Sequence, residues 1–314
     1  MISRRNLRIK VMQSLYLHQQ EQESALTQSK QILTTLVDRC YHLFFFHLWI
    51  LNQTALNSTF ILATRRKKHI QKSEEDFLLN PKLADGKIIQ LLKKNPRLSE
   101  QIEKAHLDNA VDQDSFQRWF LQIEKSEEYL SFLNEKNSGD AESTFLFRVY
   151  KNILLKDETF LQQTEDQFPN WEDDREPVYV SMENLLEKLG AGDDDFLNNF
   201  VNEKPVEMEF ANELLEKTYL HQEEINELIS PLLKNWTTDR VADVDMILLR
   251  MSAAEMLFFP QIPVKVSINE YVDIAKKYST PKSNDFLNGI LDKLMHNLKE
   301  DGKISKEGRG LKEN

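Results

Sequence analysis

Residues 266–294 read VSINEYVDIAKKYSTPKSNDFLNGILDKL. Ser267-Ile-Asn-Glu270 has the spacing of a capping box, in which the Ser hydroxyl accepts the Glu N–H and the carboxylate reaches back to the Ser amide. Ile268, Tyr271, Val272 and Ala275 follow at i, i+3, i+4 and i+7, one apolar stripe on a helix. Thr280-Pro281 predicts a second start, with Thr as N-cap and Pro at the first helical position, where its missing N–H does no harm. Leu287, Ile290, Leu291 and Leu294 repeat the stripe. The stretch predicts a helical hairpin. Gly289 falls inside its second helix, at a cost of roughly 1 kcal/mol against Ala. Close packing against another helix, or close approach of a ligand or partner backbone, would account for it.

The same period runs through the chain. With 8 Gly and 9 Pro in 314 residues, and almost no sustained period-two alternation, the sequence predicts an all-α protein. Cys40 is the single cysteine, which excludes an intrachain disulfide and a cysteine-rich zinc site and agrees with a reducing cytoplasm. The N-terminus, MISRRNLRIKVMQ, is basic but has no apolar core behind it and does not read as a secretory signal. The most apolar run, Leu43 to Leu51, is too short to span a bilayer and predicts a buried core helix, with no membrane role. The formal charge of −11 is unevenly spread: residues 1–20 carry four basic and no acidic side chains, while residues 21–205 carry 22 basic and 32 acidic. An acidic body repels nucleic acid, but a local basic patch can still bind it.

A first helix is expected over residues 3–20, on the stripe Leu7, Val11 and Leu15 extended by Met12 and Tyr16. A long helical section follows to about residue 70, with a break expected near 52–58, where Asn and Ser recur. Thr64-Arg-Arg-Lys-Lys-His69 is a basic cluster. Asn80-Pro81 and Asn95-Pro96 are breaks, residues 97–135 read as further helix, and Asn137-Ser-Gly-Asp140 reads as a turn. Residues 157–195, with 13 acidic and 2 basic side chains, read as a solvated loop region between helices. Their Asp193–Asp195 run lacks the alternating spacing of a calcium loop. Helical pattern resumes at Phe210 and continues, past Asn235-Trp236 and a polar turn, into a helix from about Asp243 through Met256. The division expected is an N-terminal helical subdomain over 1–205, a C-terminal one over 206–300, and a charged, disordered tail over 301–314.

Catalytic signatures are missing. There is no GxxxxGK[ST], no GxGxxG, no HExxH and no Cys or His cluster at metal spacing, so neither an enzyme nor a cofactor is expected. The strongest chemical signal is Ser3-Arg-Arg-Asn-Leu-Arg-Ile-Lys10. Arg4, Arg5 and Arg8 stand at i, i+3 and i+4 spacings and can cluster, and arginine forks match phosphate oxygens and stack on bases. Cations at a helix N-terminus oppose the macrodipole, and no acidic residue lies near in sequence to neutralise them. A solvated helix start, with salt bridges from elsewhere in the fold, is the alternative.

Residues 206–298 resemble the C-terminal part of the NusB family of transcription antitermination factors. The resemblance runs through Asn235-Trp236, Asp245-Met-Ile-Leu-Leu-Arg250, Ala254-Glu255, Ile262-Pro-Val-Lys-Val-Ser-Ile-Asn-Glu270, Ile274-Ala-Lys276 and Phe286-Leu-Asn-Gly-Ile-Leu-Asp-Lys293. Arg4-Arg5, Arg8 and Gln13-Ser-Leu-Tyr16 are similar to the family's arginine-rich first helix. The resemblance implies a two-subdomain helical bundle, here with a large helical insertion within residues 21–205. It implies a non-enzyme that binds boxA-type single-stranded RNA together with the NusE ribosomal protein, joins the elongating RNA polymerase, and supports transcription of ribosomal RNA operons. On this resemblance Arg4, Arg5, Arg8 and Lys10 would contact RNA, with Tyr16, Lys282 and Phe286 beside them. Asp245 would face NusE, and Gly289 would let the hairpin pack against the first helix so that Phe286 and the arginines share a surface. A helical protein–protein adapter of the transcription complex, without direct RNA binding, is the competing expectation.

Overall fold

The computed structural model describes residues 2–20, 25–66, 81–233 and 241–311. Among these residues every regular element is helical, as the period of the apolar pattern requires. The chain forms two units, one of residues 38–203 and the other of residues 2–37 and 204–314. This corrects the expected division: the first helix belongs with the C-terminal residues, not with the middle of the chain.

The unit of residues 38–203 takes up most of α2 (Leu26–Arg66). It continues with α3 (Lys87–Lys94), α4 (Pro96–Lys104), α5 (Gln113–Glu124), α6 (Glu127–Asn134), α7 (Gly139–Asn152), α8 (Glu158–Gln167) and α9 (Trp171–Gly190). The starts of α4 to α8 have a local cause. Asn95 accepts the N–H groups of Arg97 and Leu98 with Pro96 behind it, and Asp112, Ser126, Ser138 and Asp157 cap α5 to α8 in the same way. The expected break at 52–58 is absent, because Asn57 and Ser58 bond to the carbonyls of Gln53 and Ala55 within the helix, while Asn52 donates to the Ile89 carbonyl. The acidic stretch is also not a loop region. In α9 Trp171, Val178, Met182, Leu185, Leu186 and Leu189 form a buried stripe, and the carboxylates of Glu172, Glu176, Glu183 and Glu187 line the outer face.

His47 sits at the centre of this unit. The apolar run around it is buried, and Phe160, Trp171 and Tyr150 pack on its ring. Its Nδ1 lies 2.9 Å from the Tyr150 hydroxyl and its Nε2 3.2 Å from Thr164 Oγ1. Burial disfavours the imidazolium and lowers the pKa to about 3. Among the described residues no helix is long and apolar enough to cross a membrane.

The other unit contains α1 (Arg4–Gln20), the second half of α10 (Phe196–Leu220), α11 (Gln222–Ile229), α12 (Asp243–Phe258), α13 (Val264–Tyr278) and α14 (Ser283–Glu300). α13 and α14 are the hairpin read from residues 266–294, packed on α12, which also receives α1. Its caps differ from expectation. α13 begins at Val264 behind Pro263, so Ser267 lies inside the helix with its hydroxyl turned into the core. Thr280 is tied to Ser283 through its N–H and its hydroxyl, and α14 starts at Ser283. Gly289 is exposed, and a Cβ built on it meets nothing within 4 Å. It therefore does not mediate packing of the hairpin against the first helix. Residues 301–311, expected as a disordered tail, turn back toward the end of α12, where the Glu307 N–H donates to the Pro260 carbonyl at 2.9 Å. Lys67 to His69, Asn80 and Asn235-Trp236 lie outside the described residues.

Two measurements test these placements. Gly289→Ala fills open space in a helix interior and should raise stability by about 0.5–1 kcal/mol in chemical denaturation. For His47 the folded pKa lies below the unfolded value of about 6.5, so its neutral form contributes full stability above that pH and loses it as pH falls toward 3. Between pH 7.5 and 5.5 the wild type should lose about 1.4 kcal/mol more than a His47→Gln variant, measured by urea unfolding.

Candidate nucleic-acid interface

Ser3 immediately precedes α1, and its hydroxyl accepts the Asn6 N–H. From Leu7 to Met12 every residue is buried, whereas Arg4 and Arg5 are exposed, so the arginine cluster, all on one side of the helix, divides along the axis between the exposed first turn and the buried second.

Arg8 is the buried one. Its side chain is 3 % exposed and meets the fully buried Glu255 of α12 in a bidentate pair, with Nε and Nη2 donating to the two carboxylate oxygens at 2.8 Å each. The Ser267 hydroxyl donates to one of these oxygens at 2.6 Å and the Tyr271 hydroxyl to the other at 3.1 Å. Glu255 thus accepts four bonds, two on each oxygen, the full capacity of a carboxylate. Arg8 Nη1 lies 3.6 Å from Glu270, and the guanidinium sits over the rings of Phe210 and Tyr271. Burial disfavours the charged guanidinium, but the bonds and charge of Glu255 outweigh it and hold the pKa of Arg8 above its ordinary value. Burial, with Glu255 beside it, raises Tyr271 well above an ordinary tyrosine. Arg8 and Tyr271 thus each keep one ionisation state. Arg8 is accordingly a core residue and not an RNA contact. Lys10, 1 % exposed, is also inside.

Arg4 and Arg5 remain on the outside. Arg5 is about half exposed and is bound by Glu270 of α13 at 2.8 and 2.9 Å and by Asp273 at 3.1 Å. Arg5 and the neighbouring Lys276 hold the Asp273 carboxyl below its usual range, with the Lys276 bond the larger cause. Arg4 is exposed and lies 5.1 Å from the Phe210 ring centroid. Tyr16, 38 % exposed, follows Arg5 by eleven residues, about three turns, and shares its side of the helix. Lys282 is exposed and Phe286 half-buried, at the turn between α13 and α14. Asp273, the partner of Arg5, lies about 7.5 Å along the helix axis from the end of α13 beside that turn. Asp245 is 4 % exposed, with the Ser283 hydroxyl donating to its Oδ2 at 2.8 Å. It anchors the turn from beneath instead of presenting a carboxylate outward. Among the described residues no group of three or more His, Cys, Asp or Glu could hold a metal ion.

Residues 177–296 match the NusB family. The transcription antitermination protein NusB of Salinibacter ruber is 41% identical over 111 residues, 35% of this chain and 69% of that protein. The NusB protein of Chloroherpeton thalassium is 41% identical over 103 residues, 33% of this chain and 49% of the relative. That of Natranaerobius thermophilus is 40% identical over 90 residues, 29% and 65%. The chain belongs to the NusB family. No solved structure matches it. The family match begins inside α9, so α1 and its arginines lie outside it.

Sequence reasoning missed the acidic half of this site. Glu255 interrupts an otherwise apolar run in α12, and Arg8 precedes the stripe residue Met12 by one turn, on the side that turns inward. Those two misfits were the available signal, although nothing local pairs residues 247 positions apart. Removing one partner strands the other's charge in the core, so Arg8→Ala or Glu255→Ala should each cost about 3–5 kcal/mol. An Arg8→Met/Glu255→Met double variant should recover much of the loss, as thermal unfolding of the three proteins would reveal.

Proposed function

We propose that this protein is a cytoplasmic transcription antitermination factor that binds boxA-type single-stranded RNA together with the NusE ribosomal protein. In this reading it joins the elongating RNA polymerase and supports transcription of ribosomal RNA operons. Its relatives named transcription antitermination protein, at about 40% identity, carry the proposal. It requires no catalytic residue.

The RNA face in this reading consists of Arg4, Arg5, Tyr16, Lys282 and Phe286. Arg4 and Lys282 supply exposed positive charge, and Arg5 can trade its carboxylate partners for a phosphate. Tyr16 and Phe286 offer ring surface on which bases stack, at about 1–3 kcal/mol per base. Arg8 and Lys10 act from within by fixing α1. Asp245 supports a partner surface by holding the turn that carries Lys282. The adapter reading draws on one observation: Glu270 and Asp273 already neutralise Arg5, so few cations face outward on α1.

Fluorescence anisotropy of a labelled boxA-type RNA, with and without NusE and across a salt series, separates the two. With NusE present, an Arg4→Ala/Lys282→Ala variant should bind the RNA more weakly. Its plot of log affinity against log salt should be shallower by about 1.4, two contacts at roughly 0.7 each. An unchanged affinity and slope, with NusE binding retained, would put the adapter reading first.

A further inference from the structure

The segment after α14 is built to approach α12. Gly302, at φ +65°, turns the chain, and its backbone closes the end of α14 through Gly302 N–H to Lys299 and Lys303 N–H to Leu298. Gly310 then passes so near Pro260 that a Cβ on it would lie 1.9 Å from the Pro260 carbonyl oxygen. Between these points the Lys306 ammonium donates to the carbonyls of Phe259 at 2.9 Å and Glu255 at 3.2 Å, at the C-terminal end of α12. Beside it opens a cleft of about 510 Å³, lined among the described residues by Lys265 of α13, Lys299 of α14 and Lys306, with Val264, Met295 and Leu311 as apolar walls.

We propose that Lys306 is an acylation site whose amine, fixed by two main-chain carbonyls beside a lysine-lined cleft, accepts the acyl group of an acyl phosphate. A neutral amine has two N–H bonds and one lone pair. The two carbonyls occupy both N–H bonds, which leaves the lone pair for the remaining direction, open to the cleft. Lys265 and Lys299 place positive charge where the phosphate of the reagent would sit. In the reaction the Lys306 nitrogen attacks the acyl carbon and an amide C–N bond forms. The carbon–oxygen bond to phosphate breaks, inorganic phosphate leaves with the electron pair, and the ammonium proton passes to water. Burial, against the opposing charge of Glu255, lowers the pKa of Lys306 to about 8. The neutral amine is therefore plentiful at mildly alkaline pH, whereas an ordinary lysine offers well under about 1% of it. Among the described residues the charged groups around it are Glu255 from α12, Lys265 from α13 and Lys299 from α14, with Glu307 next to it in the chain. Acylation removes the charge and leaves one N–H for two carbonyls, which loosens the segment from α12. The proposal stands independently of RNA binding.

The test is incubation of the full chain with acetyl phosphate at pH 7 and pH 8, followed by peptide mass spectrometry of every lysine. Lys306 should acetylate at least about tenfold faster than the median exposed lysine, since a pKa of about 8 against 10.5 is roughly 300-fold in neutral fraction at pH 7 and the half-buried position of the amine offsets part of that gain. A Lys265→Ala/Lys299→Ala variant should slow its reaction with acetyl phosphate but not with uncharged acetic anhydride. In hydrogen exchange the acetylated protein should lose protection at residues 303–310. Modification of Lys306 no faster than the median overturns the site, and an equal effect of the double variant on both reagents overturns the anion recognition.

Discussion

A single carboxylate organises the family-related unit, the one of residues 2–37 and 204–314 that holds most of the family match. Glu255 stands in the middle of α12 with no access to water, and an isolated charge there would be prohibitively unstable. It is tolerated because Arg8 of α1 and the hydroxyls of Ser267 and Tyr271 of α13 fill all four of its acceptor positions. Three helices are thereby bound to one point with defined rotation, since a bidentate fork accepts little misalignment. Apolar packing alone would permit α1 to slide or turn against α12. The ion pair favours one register, and that register decides which arginines face outward.

The outer charges follow from this constraint. With Arg8 committed to Glu255, Arg4 and Arg5 come one turn earlier on the same side of α1, where the helix start is exposed, and there Arg5 is drawn to Glu270 and Asp273. A stretch that reads as a uniform basic patch is thus divided by depth. Two cations, Arg8 and Lys10, are inside, one is shared with surface carboxylates, and one rests on an aromatic ring in contact with solvent. In an acidic chain this division keeps the net field of α1 much smaller than its sequence suggests.

How much was legible in the sequence depended on the range of the interaction. Local periodicity revealed the all-α class and the hairpin of residues 266–294, because apolar stripes report on their own helix. Boundaries were less legible. Ser267 had the spacing of a cap, yet Pro263 started the helix a turn earlier, and the hydroxyl was needed by Glu255. Asn52, Asn57 and Ser58 looked like a break, but side chains that bond to main-chain carbonyls can be accommodated inside a helix. The acidic surface of α9 masked its buried stripe when charge was averaged over the segment. Depth was the least legible property. Whether Arg8 or Arg4 faces water depends on a partner 247 residues away, which no window on the sequence includes. For the same reason the tail, read by composition alone, gave no hint that glycines at 302 and 310 let it return to α12.

That separation also governs how the chain can acquire its structure. α1 is synthesised before α12, and the carboxylate that neutralises Arg8 follows 247 residues later. At about 5–20 residues per second, roughly 12–50 s pass before the partner has been made. During that interval α1 has no core to enter, and its apolar side chains and its charge remain available to chaperones or to misdirected contacts. The intervening residues, which form a unit with a core of their own, can fold in the meantime. Completion of the family-related unit is then a late, long-range closure, and the ribosome's schedule becomes part of the folding mechanism.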